Sequence, residues 1–460
     1  MLKTNKKLSK SNGFTLVELV IVIAIIAVLA AVLVPTFSSL IRKANISSDT
    51  VLAKNLNTAI SLYKAETGKT DLTFDDSIKA VKERGYVLAN LNAKAKDCYF
   101  VWEDQTDQFL LIEKIKEEPR YNVLFNIADG YYTYDKTKGE ENEYWCFGVS
   151  AAEVITELEK IYVGARFMSI ATSTQGLLDF IEQATDKTQT IYVDDTMDFT
   201  PLEDGEFLWV PNLNTNLTLV LGESEISRIN NNKRLLVNEG NLVVEGGIFN
   251  GGQEKYHQDL MLGIENYYGN ISFTDTKIIN NNMGILSTFG SLKIQECEIE
   301  TNIAPSSGSN YNAALMIQGC NDVTINDTVI KSGGNGVFAS CTSISIDGGN
   351  YHSDKILFYL TVQSNYTTSL TINDGDFSSG GVMFNFTHNT SATNRCVEVI
   401  LYGGTFNNIS FNEIRDYFKQ FDDAQIQDID SKYKNLFDKD YPIMVNVLED
   451  GGIRFYWKVK

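Results

Sequence analysis

Glu18 is a lone carboxylate within residues 14–34, which are otherwise uncharged and almost wholly apolar. An ionised carboxylate costs about 2.5–3.5 kcal/mol near the centre of a bilayer and less near an interface, so at this position it needs a reason or a partner. The other side chains that could do chemistry are poorly placed for it. Asp194 and Asp195 are the nearest approach to the paired acids of glycoside hydrolysis, but they read as a turn pair. The Asn and Asp residues at 280–282 and 374–376 are likewise explained as turn formers. His257, His352 and His388 stand apart, and six cysteines include no Cys-x-x-Cys, so neither metal-ligand spacing nor a cofactor is expected. Several tyrosines, Tyr256, Tyr267, Tyr268, Tyr311 and Tyr366, fall near turns, where a ring can cover apolar surface or stack on a sugar.

The elements that must position Glu18 begin at the N-terminus. Lys3, Lys6, Lys7 and Lys10 precede the apolar run with no acid among them. The 21-residue run is about 31 Å long as a helix, enough to span a bilayer core. The lysines place the N-terminal side in the cytoplasm and the rest of the chain outside. An ordinary signal peptide would show a small-residue cleavage site after the apolar run. Here the run ends in Val34-Pro35-Thr36-Phe37, and the small residue, Gly13, lies before it.

Ser11-Asn12-Gly13-Phe14-Thr15-Leu16-Val17-Glu18, with the basic leader and the run ending at Pro35, resembles the class III signal of type IV prepilins and type II secretion pseudopilins. The resemblance covers residues 6–35. It implies cleavage after Gly13 by a prepilin peptidase and N-methylation of the new terminus at Phe14. It also implies that Glu18 neutralises the terminal amine of a neighbouring pilin subunit, a buried charge tolerated mainly as part of a pair. Pro35 would sit where such helices kink or loosen, because proline removes a backbone donor. The implied location is the cytoplasmic (inner) membrane and then a surface filament.

Beyond Pro35 an apolar stripe runs through Phe37, Leu40, Ile41, Ala44, Val51, Leu52, Leu56, Ala59, Ile60 and Tyr63, and Gly68 is a fitting stop. Thr73 opens a short helix that Gly85 closes, and residues 98–102 and 109–112 form a hairpin. Further strands are expected at 121–125 and 143–148. A long helix with a small antiparallel sheet is a pilin-like head, assigned to residues 69–164 after a 1–13 leader and a 14–68 helix. Cys98 and Cys146 fall in this head, either bridged or as free thiols.

From about residue 190 one pattern recurs: apolar, any, apolar, four residues, apolar. It starts at Leu242, Ile271, Leu292, Val323, Ile344, Leu370 and Val399, with weaker copies near Ile191 and Leu217. Short strands turned by Gly, Asn and Asp at this period bury a face only by stacking. The sequence resembles right-handed parallel β-helices of the pectate-lyase-like kind over residues 170–410, and the crossover rule gives the same hand. A β-sandwich is the alternative, but its strands would not keep one register around one turn. Residues 173–184 look like the amphipathic helix that caps the first coil. Cys320 and Cys341, each three residues before a repeat start, should stack on adjacent coils at a spacing that suits either a disulfide or, the favoured expectation, a packed thiol pair. The fold class is therefore an α+β pilin-like N-terminal part followed by an all-β right-handed parallel β-helix at 165–410 and a cap at 411–460.

The formal net charge is −20, and loss of the four leader lysines would take it to −24. Such a surface repels nucleic acid and anionic lipid. Lyases on this scaffold pair calcium-binding acids with a basic residue, and the repeats hold only Arg228, Arg234 and Arg395. An enzyme is not expected. The leading expectation is a minor or tip filament subunit. The rivals are an adhesin binding surface glycan through Tyr267, Tyr268, Tyr311 and Tyr366, and a polysaccharide lyase or hydrolase.

Overall fold

The computed structural model describes residues 15–460 except 105, 115–121, 126–141, 148–151, 162–164, 201–206, 229–233, 253–261, 302–312, 363–365, 389–395, 423, 427–428, 439–442 and 459–460. Helix α1, Leu16–Thr67, is 52 residues long, about 78 Å at the α-helical rise. Thr15 and Glu18 cap its start reciprocally, and Gly68 ends it in the left-handed conformation (φ 73°) that glycine takes without strain. The helix runs unbroken through Pro35, whose missing N–H leaves the carbonyl of Ala31 without its intrahelical donor.

Contacts divide the chain into two units, Met1–Tyr86 with Leu91–Gly139, and Val87–Asn90 with Glu140–Lys460. In the first, Ala53, Leu56, Ala59, Ile60 and Tyr63 of α1 are buried. Asn57 fastens the helix to the antiparallel pair β1 (Cys98–Glu103) and β2 (Gln108–Glu113). Its amide donates to the Phe109 carbonyl (2.8 Å) and accepts from the Phe109 N–H (2.7 Å). Asp49 accepts from the N–H groups of Lys94 and Ala95 (3.0 and 2.9 Å). Helix α2 (Phe74–Glu83) starts at a Thr73–Asp76 capping box, and β3 (Asn122–Phe125) pairs with β2.

One expectation changes here. The stripe of α1 is covered only in its later part: Phe37, Leu40, Ile41, Ala44 and Val51 stay exposed. Six-residue strands span about 20 Å, which matches some four turns of helix and no more. The strand expected at 143–148 forms as β4 (Asn142–Phe147), and it pairs in parallel with β5 (Ala165–Ala171).

The second unit is built of parallel ladders. From the strand Leu208–Val210 onward the chain visits a third, a first and a second ladder in turn. Leu242, Ile271, Leu292, Val323, Ile344, Leu370 and Val399 are direct neighbours along the first ladder. Phe249, Ile278, Ile299, Ile330, Tyr351, Phe377 and Phe406 follow one another along the second. The register read from the repeat is thus the register observed. Residues on these columns are buried to 2% or less, each contributing about 1.5–3 kcal/mol. Aromatic side chains stack within the core, Tyr351 on Phe377 and Phe377 on Phe406, both at 4.9 Å.

Buried polar side chains link neighbouring strands. Asn238 donates to Asn266 (2.7 Å), Asn266 donates to Ser287 (2.9 Å), and Ser287 lies 3.3 Å from the Cys320 sulfur. The expected Cys320–Cys341 pair does not form. Gln318 aligns with Ser340, but Val323 aligns with Ile344, so the earlier turn holds one more residue. Cys320 is consequently buried with the Thr342 hydroxyl on its carbonyl, while Cys341 is partly exposed. None of the six cysteines is in a disulfide, Cys98 and Cys146 included.

The ends of the ladders are closed. Helix α3 (Ala152–Ile161) packs on β5, and α4 (Thr174–Gln183, N-cap Ser173) buries Leu177, Phe180 and Ile181. At the far end Cys396–Leu401 pairs antiparallel with Ile453–Lys458, which pairs with Met444–Val447. Helix α5 (Phe411–Phe418) adds Phe418, which meets Phe437 and Phe455 edge-on. These closures remove the strand edges that would invite pairing between molecules.

Candidate functional site

The start of α1 carries the geometry that matters. The Thr15 N–H and hydroxyl both donate to Glu18 Oε2 (2.9 and 2.8 Å), and the Thr15 hydroxyl accepts from the Glu18 N–H (3.3 Å). The carboxylate is thereby folded back to the positive end of the helix dipole. Among the described residues Oε1 accepts no hydrogen bond. Sequence reasoning identified Glu18 but not the part Thr15 plays in aiming it; the Thr-x-x-Glu spacing was the available signal.

Two other helices begin with the same reciprocal cap. In each, a lysine completes it: Lys69 on Asp76 (2.6 Å) before α2, and Lys432 on Glu413 (2.7 Å) at α5. Lys432 and the Ser410 cap hold the Glu413 carboxyl at about 2, far below the ordinary glutamate value. Glu18 has no such cation among the described residues. Its surroundings are apolar side chains with no cover: Leu16, Val17, Leu19, Val20, Ile21, Val22 and Ile23 are all exposed. The helix is long and apolar enough to cross a membrane.

Gly13 and Phe14 lie outside the described residues, as do Tyr256 and Tyr311. Tyr267 and Tyr268 are exposed and adjacent, with ring centroids 4.5 Å apart in a T-shaped contact. Tyr366 is exposed on another segment. The Asp195 carboxylate accepts from the Thr196 N–H (3.0 Å) with a positive φ of 69°, the local geometry of a turn.

Residues 8–34 match the model of the prokaryotic N-terminal methylation motif. The chain carries a type IV prepilin N-terminus. It is 51% identical over 54 residues to the type IV wide pilus major component PilA4 of Thermus thermophilus, covering 12% of this chain and 39% of that protein. It is 42% identical over 58 residues to the type IV major pilin protein PilE1 of Neisseria gonorrhoeae, covering 13% and 35%. To a PilE of Neisseria gonorrhoeae it is 41% identical over 95 residues, covering 18% and 57%. The chain therefore spans less than two thirds of each of these relatives. No solved structure matches it significantly. The methylation motif and the parallel ladders thus lie in the same chain.

Proposed function

We propose that this chain is a subunit of a type IV pilus-like or pseudopilus filament, cut after Gly13 by a prepilin peptidase and methylated at Phe14. The observation that carries the reading is the methylation motif at 8–34 together with a Glu18 carboxylate aimed back at the N-terminal end of its helix. In the membrane the four leader lysines keep the N-terminus cytoplasmic and leave the chain beyond the apolar run outside. On assembly, the terminal amine of a neighbouring subunit takes the place that Lys432 takes at Glu413, pairing the one charge that the apolar segment cannot otherwise accommodate. The exposed apolar face of α1 then packs among the corresponding helices of other subunits, and Pro35 marks where the helix can loosen.

The ladders form a right-handed parallel β-helix, since a crossover between parallel strands of one sheet is almost always of that hand. Its role is display at the cell surface rather than catalysis; turn geometry accounts for Asp195. A unit of this size would crowd a close-packed shaft, which favours a minor or tip position. Immunogold labelling of sheared filaments with an antibody against the second unit tests this. Sparse labelling at filament ends is expected; dense labelling along the shaft would overturn the minor-subunit part, and absence from filaments would overturn assembly.

A further inference from the structure

One turn of the ladders is built in an expensive way. The first ladder aligns Asn241 with Asn270, whereas the third aligns Asn238 with Asn266, so the later turn holds one extra residue. That extra residue is Tyr268, with φ 58°; the next turn keeps it as Phe289, with φ 62°. Their N–H groups make the same bond, Tyr268 to the Thr288 carbonyl (2.8 Å) and Phe289 to the Gln318 carbonyl (2.9 Å). The following turn has Gly319 there, at φ 63°. Bulky side chains are rarely left-handed, and glycine fills the same place without strain. Strain held at an exposed position is a reason to look for a function there.

Both rings are exposed, Tyr268 by 52% and Phe289 by 49%, and they stack at 5.0 Å. Phe289 lies over Gly319, where a Cβ would come within 2.7 Å of its ring. On the other side Tyr267 meets Tyr268 edge-on, and Glu239 occupies the position next to Tyr267 along the ladder. Glu239 accepts from the indole N–H of Trp209 (3.2 Å), itself 52% exposed. The exposed Trp209, Tyr267, Tyr268 and Phe289, with the half-buried Glu239, thus make one strip running across successive strands toward Gly319, about 19 Å over four inter-strand steps.

We infer that this strip binds an extended, uncharged polysaccharide lying along the ladder axis. Aromatic faces pack on the C–H faces of sugar rings, and the Glu239 carboxylate and tyrosine hydroxyls take hydrogen bonds from and to sugar hydroxyls. Glu239, on a chain of net charge −20, opposes a polyanion. This deepens the display reading by naming what is displayed to, but it needs no filament to be tested. Of the expected tyrosines it uses Tyr267 and Tyr268, and it adds Trp209, Phe289 and Glu239.

The test uses the full chain in a detergent without sugar head-groups. Trp102, Trp145 and Trp457 are buried, so Trp209 is the exposed reporter. Cellohexaose or chitohexaose should shift its emission to the blue in a saturable way, while oligogalacturonate and a polyproline peptide should not. The double variant Tyr268→Gly, Phe289→Gly keeps the left-handed turns and should retain its thermal midpoint while binding at least about tenfold more weakly. No response to either neutral oligosaccharide, an undiminished response in the double variant, or a stronger response to oligogalacturonate or polyproline would each overturn the inference. The state of the N-terminus reports on assembly independently, so the two readings fail separately.

Discussion

The beginnings of α5 and α1 use the same four-residue device, Ser410-x-x-Glu413 and Thr15-x-x-Glu18, and end in opposite electrostatic states. Glu413 meets Lys432 of its own chain; Glu18 meets only its own cap among the described residues. The contrast extends to the apolar residues around them. Phe411, Ile414 and Phe418 of α5 are buried, whereas the first half of α1 leaves side chains of the same kinds uncovered. A helix that completes its own charge and hides its own apolar face is finished at the level of the folded chain. One that does neither is, under the proposed assembly, finished by other molecules, lipid first and neighbouring subunits afterwards.

Breaking the unfinished end should have the largest effect. Glu18→Gln removes the charge while keeping the cap's acceptor. It is expected to lower recovery in sheared filaments at least about tenfold, with the membrane-bound amount unchanged. Glu413→Gln, made in parallel, should leave filament recovery intact. Equal loss in both would erase the distinction.

A second pair contrasts the two apolar populations. Ile299→Ala, inside the ladders and fully buried, should cost about 2–5 kcal/mol in thermal or denaturant unfolding of the detergent-solubilised chain. Ile25→Ala, exposed on α1, should leave that transition in place. Next in size is Asn266→Ala. It removes one of the acceptors of the Asn238 amide and one of the donors to the Gly269 carbonyl (2.9 Å), for a loss of about 1–3 kcal/mol.

The smallest effect is a titration. The folded Glu413 carboxyl, at about 2, lies below its unfolded value. Its contribution is therefore complete above the unfolded glutamate value and is lost as pH falls toward 2. A carboxyl resonance of Glu413 with a midpoint near 2 in an NMR titration, displaced upward in Lys432→Ala, is the expected result.

Much of this architecture was legible in the residues. The recurrent apolar pattern gave the ladder register because a parallel strand slipped by one residue would turn its inner face outward. Gly68, Thr73 and Ser173 marked helix ends through their own capping chemistry. What escaped depended on insertions between repeats. One added residue at the Gly319 turn moved Cys320 out of line with Cys341, and another placed Tyr268 and Phe289 on a shared outer strip. The partial cover of α1 followed from strand length, which the helical stripe does not encode. The Asn238–Asn266–Ser287 chain was present as a spacing of polar residues, but it becomes recognisable only when the strands are set side by side.

The central claim concerns the finished N-terminus, and intact and N-terminal peptide mass spectrometry of the protein from its own membrane tests it most directly. A mature chain that begins at Phe14 and carries one added methyl group is the predicted result. A chain that still begins at Met1, or that is cut beyond Val34, would contradict the account and leave Glu18 without its role in assembly.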